Sequence, residues 1–445
     1  MPDDVLVERS PNDDEPTADR PATFRDIFAI HEYRALYLAC ALSFVGDYMA
    51  KAAIMVMVYQ ETHSVALSAA SFAITYLPWI LGGPVLAALA ERFPYRRVMI
   101  VCDLIRMILI SAVAIPGLPV WLMLVLLFVT MLGNPPTQAA RSALMPLILG
   151  RDRLVVGIAV NTSTSQAAQV VGYLAGAGVA TAASPRLALL IDALTFAASA
   201  LLIRAGIRRR ASALPAGHRT HLLGETAEGF RLVFGNRVLR AIAVLVFALT
   251  LFAVVPEGLA VAWAERTSPG GAHRGLAQAM IMAAPPIGFI LGGLLIGRFV
   301  RPAVRRRLIR PFAVLAPLAL VPALAEPSAP LVATMALVSG FAVGGLLPTL
   351  NGMFVLTLPH GFRARAFGVM QGGMQLTQGS AVLAIGLLAE RYPLPDVVGV
   401  WSAVGVLLMV AVATRWPRAE RLNSSIAAAT IAAVPPPRSP GRIEA

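Results

Sequence analysis

An aspartate and a lysine four residues apart, deep inside an apolar run, can hold, pass on or release a proton away from bulk water. Asp47 and Lys51 stand this way in the stretch Arg34 to Gln60, RALYLACALSFVGDYMAKAAIMVMVYQ. The run is long enough to cross a bilayer as a helix. Lys51 is the only lysine of the chain, the other basic side chains all being arginine. A charge at the centre of a membrane helix costs about 2.5 kcal/mol or more, and by default it marks a functional site. The structural alternative is an i,i+4 ion pair that neutralises itself on one helix face. Such a pair must still face protein or water, and both readings stay open at this point.

Amides form the second pattern. Gln371, Gln375 and Gln378 are spaced i, i+4, i+7 along one helical face, and Thr162, Gln166 and Gln169 repeat that spacing earlier in the chain. Asn351 belongs with them. In hydrocarbon these groups either hydrogen-bond between helices, at about a kcal/mol or less each, or line a polar cavity that receives solute. Met370 and Met374 beside the second stripe would give that cavity an adaptable apolar wall.

Charge also collects in GGPVLAALAERFPYRRVMIVCDLIR. Glu91, Arg92, Arg96 and Arg97 are expected at a membrane surface, with Asp103 and Arg106 one to two turns into the next helix and within reach of each other. Acids threaded through arginines suggest a cluster that re-pairs across a helix interface and so acts as a cytoplasmic gate.

The elements that must position these groups follow from composition. Hydrophobic residues make up 57% of the 445 residues and charged ones only 14%, against about a quarter charged in soluble proteins. The chain therefore reads as an all-α integral membrane protein. Its net charge of +13 lies in short arginine clusters between apolar runs, which fits membrane topology and not a nucleic-acid groove. Cys40 and Cys102 both fall inside apolar runs, so neither a disulfide framework nor a metal site is implied. All six histidines lie outside the apolar segments. Seven acids against Arg9 and Arg20 in the first 20 residues are the reverse of a signal peptide.

Apolar segments are expected at about 35–59, 67–90, 97–116, 119–148, 155–182 and 185–205, then at 238–264, 275–300, 309–325, 329–358, 364–390 and 395–415. With the N-terminus inside, the inner loops hold 21 arginines and the outer loops four, which puts both termini in the cytoplasm. The expected organisation is a disordered tail (1–33), a six-helix bundle (34–205), a cytoplasmic linker (206–237), a second six-helix bundle (238–416) and a disordered tail (417–445). A weak repeat relates the halves: Pro146, Arg151, Arg153, Gln166 and Gln169 recur in order as Pro359, Arg363, Arg365, Gln375 and Gln378.

Four stretches resemble the major facilitator superfamily, and within it the multidrug and macrolide-efflux-like proton antiporters: GDYMA; LAERFPYRRVMIVCDLIR; PPTQAARSALMPLIL followed by NTSTSQ; and IDALTFAASALL continued by ETAEGFRLVFGNRVLR and LPHGFRARAFGV. The second departs from the superfamily's loop motif at Ala87, Glu91 and Tyr95, and the run Val171 to Gly176 lacks the Gly-Pro of the antiporter signature. The resemblance implies twelve transmembrane helices in two pseudo-symmetric bundles that rock about a midplane cavity. It further implies a secondary active transporter that exports a small, largely apolar compound by proton antiport. Asp47, tuned by Lys51, would be the coupling carboxylate, and Gln166, Gln169, Asn351, Gln371, Gln375 and Gln378 would line the cavity. Such a protein needs no cofactor beyond the proton gradient and is not an enzyme. Its partners would be a small-molecule substrate and membrane lipids, with no nucleic acid, and it would work as a monomer in a bacterial cytoplasmic membrane. An importer or lipid flippase on the same fold, and a non-transporting sensor or scaffold, remain alternatives.

Overall fold

A computed structural model describes residues 23–81, 86, 92–210, 222–268, 271–358 and 363–417. Glu91, Pro359, both terminal tails up to residue 22 and from 418, and residues 211–221 of the linker lie outside the described residues. Among the described residues every regular element is a helix. Hydrocarbon offers no partner to a backbone N–H or C=O, so apolar runs of this length must satisfy their hydrogen bonds internally.

In chain order the helices are α1 (Phe24–Phe28), α2 (His31–Thr62), α3 (Val65–Ala73), α4 (Leu77–Leu81), α5 (Tyr95–Val113), α6 (Val120–Met131), α7 (Asn134–Ala182) and α8 (Pro185–Gly206). They continue as α9 (Leu222–Gly235), α10 (Arg237–Ala253), α11 (Val255–Gly258), α12 (Ala260–Thr267), α13 (Gly271–Phe299), α14 (Pro302–Leu318), α15 (Ala329–Thr357), α16 (Arg363–Ala389) and α17 (Leu394–Thr414). Polar residues start several of them. Ser64, Ser184 and Asn236 accept hydrogen bonds from the first free backbone N–H groups of α3, α8 and α10. Among the described residues, eight helical stretches are long and apolar enough to cross a membrane: His31–Thr62, Val120–Gly150, Pro185–Gly206, Arg237–Gly258, His273–Phe299, Val304–Ala325, Ala329–Thr357 and Leu394–Thr414. The chain is a multi-pass, all-α membrane protein.

Helices before residue 207 pack mainly on one another, α2 against α7 and α8, and α5 against α8. Those after 222 do the same, α13 and α14 against α15, α14 against α17, and α10 against α16. The two groups meet where α7 lies on α13 and α3 on α16. A shared buried core with Met55, Phe72, Tyr173, Trp263 and Ile385 holds that contact.

Three interruptions shape the interior. Gly150 at φ 71°, ψ 178° splits α7 into two limbs, a backbone conformation that a side chain would strain. The 3-10 turn Ile74–Tyr76 interrupts the path from α3 to α4. The apolar segment expected over 238–264 is broken near Val254 and Leu259 into α10, α11 and α12, with Pro256 supplying no backbone donor there.

Candidate functional site

Between the two groups lies a cavity of about 520 Å³. Gln166 and Gln169 line it from the second limb of α7, and Gln371, Gln375 and Gln378 line it from α16. Asp47 and Lys51 of α2 line it as well. The amide stripes thus face each other across one space, because a single 3.6-residue period keeps each on one side of its helix. Asn351 is not part of this lining. It lies on the α15 face of Val343 and Leu347, one turn beyond Leu347 and past the cavity wall, where it is exposed.

Asp47 does not pair with Lys51. Its Oδ1 accepts a hydrogen bond from Nη2 of Arg106 on α5, an ion pair with the two side chains 13% and 2% exposed. The Arg106 guanidinium also stacks on the Phe196 ring, 4.1 Å from its centroid. A planar guanidinium can do both at once, whereas an ammonium is a compact point charge. Lys51 instead places Nζ 4.9 Å from the centroid of the Tyr48 ring.

The Asp103–Arg106 pairing read from the sequence is likewise replaced. Ser199 of α8 donates to Asp103 Oδ2 at 2.7 Å, while Arg106, one turn on, is drawn to Asp47. The expected gate cluster divides accordingly. Arg92 and Arg97 are exposed. Arg96 donates to the carbonyls of Ile203 (3.4 Å) and Arg204 (2.5 Å), closing the free end of α8. Asp103 and Arg106 are each 1% exposed, and six residues of helix, about 9 Å, separate Arg97 from Asp103. Glu91 lies outside the described residues.

Three charged side chains that spacing along the chain did not single out lie in or beside the site. Glu257, on the short α11, is buried at the cavity wall and accepts a hydrogen bond from the Tyr173 hydroxyl at 3.0 Å. This bond joins the two helix groups, and Gln169 Nε2 donates to the same hydroxyl at 3.4 Å. Arg141 stacks on Phe44 at 4.5 Å and donates to Gln138. Asp192 of α8 is fully buried beside Asp47, with Thr195 donating to Oδ1 at 3.2 Å and Oδ2 without a partner among the described residues. It reaches that position only because residue 46 is glycine: a Cβ there would fall on Asp192 Oδ1 and Thr195 Oγ1. Each of these charges was visible as a lone ionisable residue in an apolar run. A search for pairs at helical spacing passes over them.

Polar contacts join the two groups beyond one end of the cavity. At the Thr62 end of α2, Glu390, just past the end of α16, accepts from the Ser64 hydroxyl (3.2 Å) and the Ala66 N–H (2.9 Å). Deeper in, Gln278 of α13 donates to the Ala52 carbonyl at 3.1 Å. At the His31 end polar links form inside each group. Glu32 takes Arg208 N–H (2.9 Å) and the Arg210 guanidinium, and Arg365 donates to Glu228 at 2.5 Å. The arrangement offers a solute a polar, aromatic-walled chamber lined by Asp47, Lys51, Arg141 and Glu257.

Comparison with known proteins gives three findings. The family model described as Major Facilitator Superfamily matches residues 36–311. Macrolide efflux protein A of Streptococcus pyogenes is 24% identical over 153 residues, a stretch covering 34% of this chain and 37% of that relative's length. Among solved structures, the nucleoside transporter NupG superposes with a TM-score of 0.68 at 15% identity, covering 86% of this chain and 100% of the other. A POT family transporter in complex with 5-aminolevulinic acid gives 0.71 at 11% identity, covering 89% and 98%. A bacterial homologue of the human lysosomal transporter Spinster, inward-facing and unoccupied, gives 0.65 at 15%, covering 93% and 96%.

Proposed function

The chain belongs to the major facilitator superfamily and is a transporter, not an enzyme; from that premise we propose that it exports a small, largely apolar compound in exchange for protons. The eight long apolar helices, together with residues 65–81, α5, residues 151–182 and α16, make twelve crossings in two bundles of six. The arginine bias puts both termini and the His31 end of α2 in the cytoplasm of a bacterial cell. In that orientation the cavity faces inward, closed on the outside by Glu390 and the α7–α13 contact. Alternating access is then a rocking of the two bundles about the chamber.

The observation that carries this reading is the chamber itself, where Asp47 and the opposed glutamine stripes share about 520 Å³. Tyrosine rings and methionine suit an apolar body, and amides suit scattered oxygens and nitrogens, without the cost of burying further charge. Asp47 is the coupling carboxyl, with Arg106 as its partner. A proton arriving on Asp47 cancels the charge that holds Arg106, frees the guanidinium to re-pair, and biases the bundle between its two packings. The partial likeness to a macrolide efflux protein supports export as the direction.

The test is accumulation of candidate compounds in cells with and without the protein, in the presence and absence of a protonophore. Export that a protonophore abolishes is expected. Asp47→Asn should lose uphill efflux driven by a pH gradient while still equilibrating substrate down its own gradient. Uphill efflux fully retained in that variant removes Asp47 from the coupling.

A further inference from the structure

A groove of about 590 Å³ runs along the outer surface between α14 and α17, away from the central chamber. Phe312, Leu315 and Leu318 of α14 and Val410 of α17 form its walls, and its only polar lining residues are Arg310 and Thr414, together at one end. Leu318 and Val410 are 47% and 44% exposed, so acyl chains, not protein, adjoin them in a membrane. α14 carries two internal prolines, Pro311 and Pro317. Each removes a backbone donor from the helix.

Arg310 lies about two turns inside α14 and is exposed. Among the described residues it forms no ion pair. Neither helix can offer one nearby: α14 has no acid, and the single acid of α17, Asp396, is at the opposite end of that helix. The Thr414 hydroxyl is spent on the Ala411 carbonyl at 2.9 Å. A guanidinium at this depth is stabilised by an anion, and among the described residues none is paired with it. Arg301, Arg305, Arg306, Arg307 and Arg415 cluster at the same end, adding a positive potential that draws anionic lipid to the surface.

We propose that the α14–α17 groove is a binding site for one anionic phospholipid, its acyl chain lying along Phe312, Leu315 and Val410 and its phosphate on Arg310. The arginine side chain reaches toward the interface while its stem stays in the apolar slot, and its fork suits paired phosphate oxygens. The site is separate from transport chemistry and stands whether or not Asp47 couples protons.

The test uses the full-length protein in detergent, titrated with phosphatidylglycerol or phosphatidylcholine of identical acyl chains and read by native mass spectrometry. Phosphatidylglycerol should be retained about fivefold to tenfold better than phosphatidylcholine, whose choline ammonium cancels the phosphate charge that an interfacial arginine attracts. Arg310→Gln should cut the preference for phosphatidylglycerol severalfold, leaving only the weaker pull of the neighbouring arginines. Val410→Trp, at an exposed position, fills the groove without touching the buried core and should lower retention of both, so it serves even if Arg310→Gln fails to fold. Equal retention of the two lipids by the unaltered protein would overturn the proposal, as would a preference undiminished by Arg310→Gln. A dimeric mass that Val410→Trp converts to monomer would also overturn it, giving the groove to a second copy of the chain.

Discussion

If Arg106 and not Lys51 is the partner of Asp47, the two cations must differ sharply in what their loss costs. Arg106 is 1% exposed, and its removal as Arg106→Gln leaves the Asp47 carboxylate, 13% exposed, without its counter-ion. Breaking one side of a buried pair costs about 3–5 kcal/mol, and the lost stacking on Phe196 adds to that. Lys51→Gln forfeits only a cation–π contact with Tyr48, about 0.5–2 kcal/mol. In Asp47→Asn the guanidinium keeps a neutral acceptor and the ring, so the loss falls near the 1.5–3 kcal/mol of a hydrogen bond to a charged group. The assay is a double-mutant cycle on unfolding in detergent for Asp47→Asn with Arg106→Gln, set beside the same cycle with Lys51→Gln. The Arg106 cycle should show a coupling of about 1–3 kcal/mol and the Lys51 cycle less than about 0.5 kcal/mol. Equal destabilisation by the two single cation variants, or a larger coupling to Lys51, would refute the assignment.

Three further outcomes follow from the same geometry. Gly46→Ala should destabilise by about 1–3 kcal/mol through overpacking against Asp192 and Thr195, while Gly178→Ala, with nothing within 4 Å of its added carbon, should be neutral or slightly stabilising; thermal unfolding in detergent distinguishes them. Tyr173→Phe removes the hydrogen bond to Glu257 across the two groups, and a loss of about 1–2 kcal/mol shifts the balance toward opening of the Thr62 end by roughly fivefold to thirtyfold. A Thr181→Cys reporter should then label faster than in the Tyr173 background, and an unchanged rate would count against that bond as a closure. Single cysteines at Arg97, Arg231 and Arg306, introduced after replacing Cys40 and Cys102, should react only with reagents that enter the cell; external labelling at Arg306 would reverse the topology.

Much of the fold was written in the sequence for a local reason. A segment in hydrocarbon must close its own backbone hydrogen bonds, so length and hydropathy suffice to place helices such as His31–Thr62 and Ala329–Thr357. Spacing along a helix is also local, which is why Gln371, Gln375 and Gln378 shared a face before any neighbour was known. The same locality misled where a partner had to be chosen. Lys51 was the nearest cation to Asp47 along the chain, yet the pair forms with Arg106, 59 positions away. Glu257 finds Tyr173 across 84 positions and between the two helix groups. Asn351 has the right chemistry on the right face, but one turn too far along α15.

What the chain decides by itself is which side of each helix is polar, because that depends on a period of 3.6 residues and nothing else. Which polar groups then meet depends on how closely two helices approach and where they break. Those depend on a missing Cβ at Gly46, a left-handed Gly150 and the interruption around Pro256. Each of these acts only against a neighbouring element, and so only the folded bundle sets the partners of its buried charges.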